Sequence, residues 1–576
     1  MTSRVLPPDT PAQAARHEVP AAGALVPPVA TRTSRPRAAR AAALLFPILL
    51  LPVMLLVSPD YGATWDEELQ QRRGENIAAY YSGRVQHLDV TEDGSHFYGA
   101  PFDVLAVGLQ RIVAADTYVV RHLLNAFVGW LGIVLCGLLA ARLFGPTNAL
   151  LAMVLLAATP RYFGHSMNNP KDIPFAAAAT LVLYVLCRLR ERPPFFTYRT
   201  ALAMTVSLGL ALNIRPGALL FLVYLSVLLL YRLQQQRLIQ VRPLLETAAW
   251  VGAITVGTLI VGSVFWPWAL ERPLYGPIVG LAQLSKFGWT SYMLFNGRDV
   301  FALDTPWDYV PRWTLLTLPI GVLLGLVLSL RLLRPSDEHH GTAVALWAVV
   351  LFPVAYIIGI HATMYDGIRH LLFIFPPIAV LAAAGWISAF QHRSVIMRGL
   401  IAAALLVAIA RPALFIVQEH PNQVVYFNEL AGGPAGAYGR YEMDYWGNCL
   451  LQAVQAVNAM TPDTVRPIVT GRPLHIVRGD AARYPRITVT EREAGQHAFE
   501  LVLLRGSRAE VLQLAARPDA LARITTRDGA LLCTVLPGPA FGQQAALAGG
   551  KPLTAVSDPL SPSGSGGVAP GLIAGF

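Results

Sequence analysis

Two adjacent acids, Asp66 and Glu67, come directly after the apolar run AAALLFPILLLPVMLLV at residues 41–57. A carboxylate inside hydrocarbon is costly, so acids at a membrane boundary either face water or belong to a functional site. A positioned carboxylate can act as a general base towards a hydroxyl group. The structural alternative is that Asp66 caps the amphipathic helix predicted by the residues after it, because an aspartate there accepts bonds from free N–H groups.

Cations and a further acid occur at the ends of other predicted spans. The segment HSMNNPKDIP carries Lys171 and Asp172, NIRPG carries Arg215, and MYDGIRHLLF carries Arg369 and His370. Each segment taken alone is explained by capping or by snorkelling at a helix end. All three are predicted on the same side of the membrane as the acid pair. Together they indicate one ionic site at the lipid–water boundary.

An ionic site of this kind suits the transfer of a sugar from a lipid-linked phosphate. A carboxylate would take the proton from an attacking hydroxyl group. Arginine and lysine would stabilise the charge that develops on the departing phosphate. The membrane would hold the lipid tail of the donor, so the enzyme would need to bind only the headgroup tightly.

The elements that position these residues are predicted to be membrane-spanning helices. The chain has 576 residues, of which 54% are hydrophobic and 14% charged, whereas soluble proteins carry about 25% charged residues. Apolar runs long enough to cross the bilayer recur through the first three quarters. The sequence therefore predicts a mainly α, polytopic bundle with about eleven spans: 41–57, 118–143, 147–164, 172–188, 200–214, 216–231, 245–266, 313–331, 343–361, 368–390 and 397–416.

The distribution of arginine predicts the orientation of this bundle. With eleven spans, the arginine clusters all fall on one side: 32–40, 188–192, 232–242, 331–334 and 393–398. The positive-inside rule makes that side cytoplasmic, as expected for a bacterial inner (plasma) membrane protein with a cytoplasmic N-terminus. Because the net charge of +10 is spread over these loops and forms no basic face, nucleic acid is excluded as a partner.

Composition divides the chain into four regions. Residues 1–40 are predicted to be a disordered cytoplasmic arm, and 41–417 the membrane module with a long first outside loop at 58–117. Residues 418–544 read as a small extracytoplasmic α/β domain, and 545–576 as a flexible tail. Cys449 and Cys533 fall in the α/β domain, where an oxidising compartment would allow them to pair.

Several motifs resemble those of known membrane glycosyltransferases. The acid pair after the first span is similar to the Asp-Glu motif of protein O-mannosyltransferases and of the related lipid A aminoarabinose transferases, which have the GT-C fold. SHFYGAPFDVLAVGLQRI (95–112), NPKDIPF (169–175), GIRHLLFIFPP (367–377) and YFNELAGGPAGAYGRYEMDYWG (426–447) resemble further segments of that superfamily. The resemblance extends over roughly residues 41–447. His370 stands where the family has an aromatic residue.

The resemblance implies an inverting transferase that uses a polyprenyl-phosphate-linked sugar and a hydroxyl acceptor on a protein, lipid or glycan. Asp66 would be the base, with Glu67 orienting the acceptor or tuning the pKa of Asp66. Asp172 would support the residues that touch the substrate. The residues implied to bind the donor phosphate are Lys171, Arg215 and Arg369. Further substrate contacts are expected from Arg72, His96, Tyr98 and His370.

The resemblance implies no metal cofactor, although oxygen atoms of Asp66, Glu67 and Asp172 could hold Mg²⁺ or Mn²⁺. The rival functions are a transporter or flippase for a lipid-linked sugar and a polysaccharide polymerase or ligase. A transporter needs charged residues near the membrane midplane, whereas the charges here lie at helix ends. A third alternative is a scaffold that acts through its C-terminal domain, for which Asp66 would be dispensable.

Overall fold

The computed structural model describes residues 37–86, 88 and 94–547. The predicted disordered arm therefore lies outside the described residues, except for Arg37–Arg40, which begin the first helix. The predicted flexible tail also lies outside them, except for 545–547, which end the last helix.

Ten helices form the first half of the membrane module. They are α1 Arg37–Val57, α2 Glu67–Tyr81, α3 Pro101–Gln110, α4 Thr117–Phe144, α5 Pro146–Ala157, α6 Pro160–Asn168, α7 Asp172–Leu186, α8 Tyr198–Ile214, α9 Leu219–Gln235 and α10 Val241–Ser263. Local sequence sets several of their starts. Asp116 accepts bonds from the backbone N–H groups of Tyr118 and Val119 to cap α4, and Thr197 caps α8 in a capping box with Thr200.

Seven further helices and a hairpin complete the module. They are α11 Pro267–Leu270, α12 Gly276–Ser285, the antiparallel pair β1 Tyr292–Phe295 and β2 Arg298–Phe301, α13 Tyr309–Thr317, α14 Ile320–Ser329, α15 His340–Gly359, α16 Phe375–Ala389 and α17 Val395–Gln418. A 3-10 turn at Arg369–Ile374 leads into α16, which is the most enclosed of the long helices. It packs against α4, α5 and α14 in the centre of the bundle.

The helical membrane fold is confirmed, but the count of about eleven spans is not. Within the described residues, seven helices are long and apolar enough to cross a membrane, or eight if the bent pair α13–α14 is one span. The predicted span 147–164 is divided between α5 and α6, which meet at Thr159 and Pro160. Helices α7 and α8 have 15 and 17 residues, which is shorter than the roughly 20 needed to span hydrocarbon.

The C-terminal part contains the predicted mixed α/β structure. Its elements are α18 Gly433–Ala437, α19 Cys449–Met460, β3 Ile468–Arg472, α20 Leu474–Ala481, β4 Thr488–Val489, β5 Phe499–Leu503, α21 Arg508–Ala515, β6 Ala522–Thr525, β7 Leu531–Pro537 and α22 Phe541–Leu547. The sheet has the order β4-β3-β5-β7-β6, with β3 parallel to β4 and β5 and the other pairs antiparallel. Cys449 and Cys533 are buried free thiols in contact with each other.

The C-terminal domain holds the chain segment that leads from α1 to α2. Asp480 accepts a 2.6 Å hydrogen bond from the backbone N–H of Ala63. Arg483 donates to the carbonyl groups of Pro59 and Tyr61 at 2.8 and 2.9 Å. These bonds satisfy buried backbone groups that a loop beside the bilayer would otherwise leave unpaired. The position of Asp66 therefore depends on the C-terminal domain as well as on the membrane helices.

Helices α14 and α16 approach closely through two glycines, Gly325 and Gly385. A Cβ atom on Gly385 would lie 2.0 Å from the carbonyl oxygen of Gly325 and 2.6 Å from the backbone nitrogen of Ser329. Both obstacles are backbone atoms, so a larger residue requires the helices to separate. Small residues permit such contacts between membrane helices.

We expect Gly385→Ala to lower the free energy of unfolding by about 1–3 kcal/mol, because overpacking forces the two backbones apart. Gly399→Ala in α17 is the matched control, since open space surrounds that position. There the alanine should be neutral or stabilising by up to about 1 kcal/mol. Thermal unfolding of the purified chain in detergent measures the difference. Equal melting temperatures for the two variants would contradict the close helix contact.

Candidate active site

Asp66 lies at the start of α2 but does not cap it. It occupies the N-cap position without a side-chain capping hydrogen bond. Its Oδ2 atom instead lies 3.4 Å from Nη1 of Arg369 and 3.7 Å from Nζ of Lys171. The side chain is 18% exposed. The capping alternative from the sequence is therefore not realised, and the carboxylate is part of an ionic cluster.

Asp172 begins α7 and belongs to the same cluster. Its carboxylate contacts the guanidinium of Arg215, and its Oδ2 atom lies 3.4 Å from Nη1 of Arg369. Asn169 also bonds to Asp172. Its Nδ2 atom donates to Oδ2 of Asp172 at 2.9 Å, and its Oδ1 atom accepts from the backbone N–H of Asp172. The predicted convergence of these separate segments is thus a feature of the structure.

Arg369 is the centre of the cluster. Besides Asp66 and Asp172, it pairs with Asp366 at 3.0 Å. Its guanidinium also lies 4.9 Å from the ring centroid of Trp446 in the C-terminal domain. With 3% of its side chain exposed, Arg369 is almost fully enclosed by these partners. For these contacts to form, the starts of α2 and α7, the end of α8 and the turn before α16 must meet at one end of the bundle.

The cluster determines the charge states of its members. Burial by itself raises the pKa of Asp66, but the positive charges of Lys171 and Arg369 outweigh burial and hold the pKa below its ordinary value. Burial lowers the pKa of the Lys171 ammonium, yet Tyr98 and Asp66 together raise it above its ordinary value. At neutral pH the site therefore presents an ionised carboxylate next to a protonated amine.

These side chains line a cavity of about 440 Å³, which we call the ionic cavity. Its polar wall contains Asp66, Lys171, Arg215, Arg369 and His370. Its apolar wall contains Ile357, Phe373 and neighbouring residues from the membrane helices. A ligand that fits both walls needs a polar, negatively charged end and an apolar tail.

The remaining predicted residues divide into those in the cavity wall and those outside it. Tyr98 lines the cavity and accepts a 3.0 Å hydrogen bond from Lys171 Nζ. His370 also lines it, with its ring edge-on to Tyr365. Arg72 is largely exposed and pairs with Glu68. His96 packs against Phe97 and Trp268, and neither His96 nor Arg72 is part of the wall.

Glu67 points away from the ionic cavity, although its neighbour Asp66 lines it. Its side chain is fully buried, and its carboxylate accepts bonds from the backbone and hydroxyl of Thr64 at 3.1 and 3.0 Å. Nε2 of His122 lies 3.1 Å from the same carboxylate, and the guanidinium of Arg121 is 3.7 Å away. In this position Glu67 holds the turn that carries Asp66 and does not line the ionic cavity.

Sequence reasoning missed Arg505 of the C-terminal domain. Its Nη2 atom donates a 2.5 Å hydrogen bond to Asp366, and its guanidinium lies 4.4 Å from the ring centroid of Trp65. The site thus contains a cation from a segment 139 positions away from Asp366. No local motif marks it, because Arg505 follows an ordinary buried strand, β5.

The segment EMDYWGN (442–448) ties the two parts of the protein together. Trp446 Nε1 donates to the carbonyl of Asn168 at 3.1 Å, and Asp444 accepts from the backbone N–H of Gly447 and Cys449. Neither Glu442 nor Asp444 lines the ionic cavity. Through the Trp446 bond the segment connects the C-terminal domain to the membrane module.

Comparison with known families identifies the class of enzyme to which this chain belongs. Residues 108–268 match the model of the dolichyl-phosphate-mannose-protein mannosyltransferase family. This chain is a glycosyltransferase related to those mannosyltransferases. The match begins within α3 and ends within α11, so it includes Lys171, Asp172 and Arg215 of the ionic cluster. The predicted enzyme class is confirmed, which sets the transporter and scaffold alternatives aside.

Solved structures of membrane glycosyltransferases are also similar to this glycosyltransferase. ArnT from Cupriavidus metallidurans in the apo state is 11% identical with a TM-score of 0.49, and 88% of this chain and 99% of that chain are covered. The archaeal oligosaccharyltransferase AglB from Archaeoglobus fulgidus is 12% identical with a TM-score of 0.46, covering 80% of this chain and 69% of that one. No curated protein sequence matches the chain.

The charge balance of the cluster predicts how activity depends on pH. Burial raises the pKa of Asp66, and the charge of Lys171 is one of those that lower it. Without Lys171, the pKa of Asp66 should therefore rise. We therefore expect Lys171→Ala to move the acid limb of the pH–rate profile to higher pH, because a higher carboxyl pKa protonates the base earlier as pH falls. Lys286→Ala is the control, since that lysine is exposed and outside the cavity wall. Coincident acid limbs in the two variants would contradict the role given to Lys171.

Proposed function

We propose that this glycosyltransferase moves a sugar, with inversion, from a polyprenyl-phosphate-linked donor to a hydroxyl acceptor on the extracytoplasmic side of a bacterial inner membrane. The observation that carries the proposal is the ionised Asp66 carboxylate beside Lys171 and Arg369, in a cavity whose other wall is made by membrane helices. The proposed orientation is the one predicted for eleven spans, in which the arginine-rich loops are cytoplasmic and the acid-rich loops lie outside.

The reaction needs one proton transfer and one displacement. The acceptor hydroxyl gives its proton to Asp66 while its oxygen attacks the anomeric carbon. The bond between that carbon and the phosphate oxygen breaks, and the polyprenyl phosphate leaves as an anion. A single attack from the face opposite the leaving group inverts the anomeric centre, and it requires no covalent intermediate with the enzyme.

The cations of the cluster are available to the phosphate even though they pair with carboxylates. An arginine has five N–H donors, so it can contact a carboxylate and a phosphate at once. The Nε atom of Arg215 is a buried donor that has no hydrogen-bond partner among the described residues. Arg215 lines the ionic cavity together with Lys171. A phosphate oxygen is the acceptor that best suits this free donor.

The apolar wall suits the lipid part of the donor. Ile357 belongs to α15, and Phe373 to the turn that leads into α16, and both of these helices are candidate membrane spans. An acyl or isoprenoid chain that leaves the cavity along these residues passes directly into hydrocarbon. The lipid tail can therefore stay in the bilayer while the phosphate reaches the cations.

Asp66→Asn tests the proposed base. We expect it to lower the transfer rate by roughly 100- to 10,000-fold, since an amide cannot accept the hydroxyl proton. Expression and thermal stability should change little, because asparagine has the same shape and Arg369 keeps Asp172 and Asp366 as partners. Glu68→Gln is the matched control, as Glu68 lies on the first turn of the same helix but pairs with Arg72. The measurement is transfer from a panel of polyprenyl-phosphate sugars by purified protein, and full activity of Asp66→Asn would refute the proposal.

We also propose that the reaction needs no divalent metal. The carboxylates of Asp66 and Asp172 already have guanidinium or ammonium partners, which supply the positive charge that a metal would bring. We expect the rate to stay constant when the purified enzyme is dialysed against EDTA. Loss of activity that Mg²⁺ or Mn²⁺ restores would show that a metal takes part.

A further inference from the structure

A second cavity of about 450 Å³ lies between the membrane module and the C-terminal domain. We call it the domain cavity. One wall comes from Trp65 and from the outside loop that carries Trp289 and Tyr292. The opposite wall comes from the C-terminal sheet and its loops, including Arg472, Arg505 and Glu510.

The domain cavity adjoins the ionic cavity. Trp65 and Trp289 line both of them. Trp65 directly precedes Asp66, and Trp289 stacks on Tyr365 of the ionic cavity at a centroid distance of 5.1 Å. Arg505 lies in the wall of the domain cavity and bonds to Asp366 in the wall of the other. A molecule in the domain cavity therefore lies next to the base.

The domain cavity is built for a ligand from the aqueous side. None of the side chains that line it belongs to a candidate membrane span within the described residues. The ionic cavity differs in this respect, because membrane helices form part of its wall. An acyl chain thus has apolar surroundings in the ionic cavity, and a soluble molecule fits the domain cavity.

The two cations of the domain cavity are already paired with carboxylates. Arg472 pairs with Glu500 at 2.8 Å, and Arg505 pairs with Asp366. A polyanion such as a phosphorylated glycolipid would have to compete with these carboxylates for each cation. The lining therefore favours a ligand that is polar but uncharged.

The aromatic side chains of the wall indicate what kind of neutral ligand fits. Indole and phenol rings have apolar faces with a polar edge, which suits the apolar face and hydroxyl edge of a sugar ring. The Nε1 atom of Trp289 is buried and has no hydrogen-bond partner among the described residues. That N–H group is a free donor for a sugar hydroxyl or ring oxygen, and Trp65 lines the same cavity.

We propose that the domain cavity binds the acceptor and that the acceptor is a neutral carbohydrate. This inference rests on the proposed function. A hydroxyl of the bound sugar, held beside Trp65, gives its proton to Asp66, and its oxygen forms a bond to the donor's anomeric carbon. The bond from that carbon to the phosphate breaks, and polyprenyl phosphate departs. The product is a longer carbohydrate.

Tyr292 offers a clean test because it is 58% exposed and its removal need not disturb the fold. Tyr275 has the same exposure of 58%, lies in the same outside loop and lines neither cavity, so Tyr275→Ala is the matched control. We expect Tyr292→Ala to raise the acceptor KM about tenfold. Tyr292→Phe, which keeps the ring, should retain most of the affinity.

The assay uses the purified full chain and a polyprenyl-phosphate sugar that it cleaves. The acceptor probes are fluorescently labelled neutral oligosaccharides, a peptide rich in serine and threonine, and a phosphorylated glycolipid. Transfer to a neutral oligosaccharide with the expected change in Tyr292→Ala supports the inference. Donor cleavage with transfer only to the peptide or the glycolipid, or to no probe, overturns it and leaves the proposed function standing. Absence of donor cleavage, or equal cleavage by Asp66→Asn, overturns the proposed function itself.

Discussion

The guanidinium of Arg369 contacts carboxylates from three separate segments of the chain, those of Asp66, Asp172 and Asp366. A buried charge is tolerated only when it is paired, and removing one partner of such a pair typically costs about 3–5 kcal/mol. The three segments are therefore constrained to meet around one side chain. That constraint gathers Asp66, Asp172 and the neighbouring cations into one ionic cluster at the end of the bundle.

The C-terminal domain takes part in the same arrangement and is not an independent appendage. Asp480 and Arg483 hold the loop before Asp66, and Arg505 neutralises Asp366 on the side away from the bilayer. The active site is thus enclosed by membrane helices on one side and by a folded aqueous domain on the other. This division matches a reaction between a lipid-borne donor and a water-borne acceptor. In the proposed reaction, each substrate approaches from its own phase, and they meet at Trp65 and Asp66.

Adjacent residues in this protein have different roles for a simple geometric reason. Successive side chains on a helix point about 100° apart. At the start of α2, Asp66 faces the cavity, while Glu67 faces the interior and pairs with His122. The acid pair was identifiable from its place after the first span, but its spacing alone does not tell which acid faces the substrate.

The sequence by itself determined that this is a helical membrane protein with its charged residues at helix ends. Hydrophobic runs and the charges between them are local properties, so they can be read directly from the sequence. The convergence of Asp66, Lys171, Asp172, Arg215 and Arg369 followed from placing those ends on one side. Only the tertiary structure showed that some predicted spans are broken or short. It also showed that Glu67 points into the protein interior and that Arg505, distant in the chain, contacts Asp366. These features depend on packing between distant segments, and hydropathy and motif spacing carry no information about that packing.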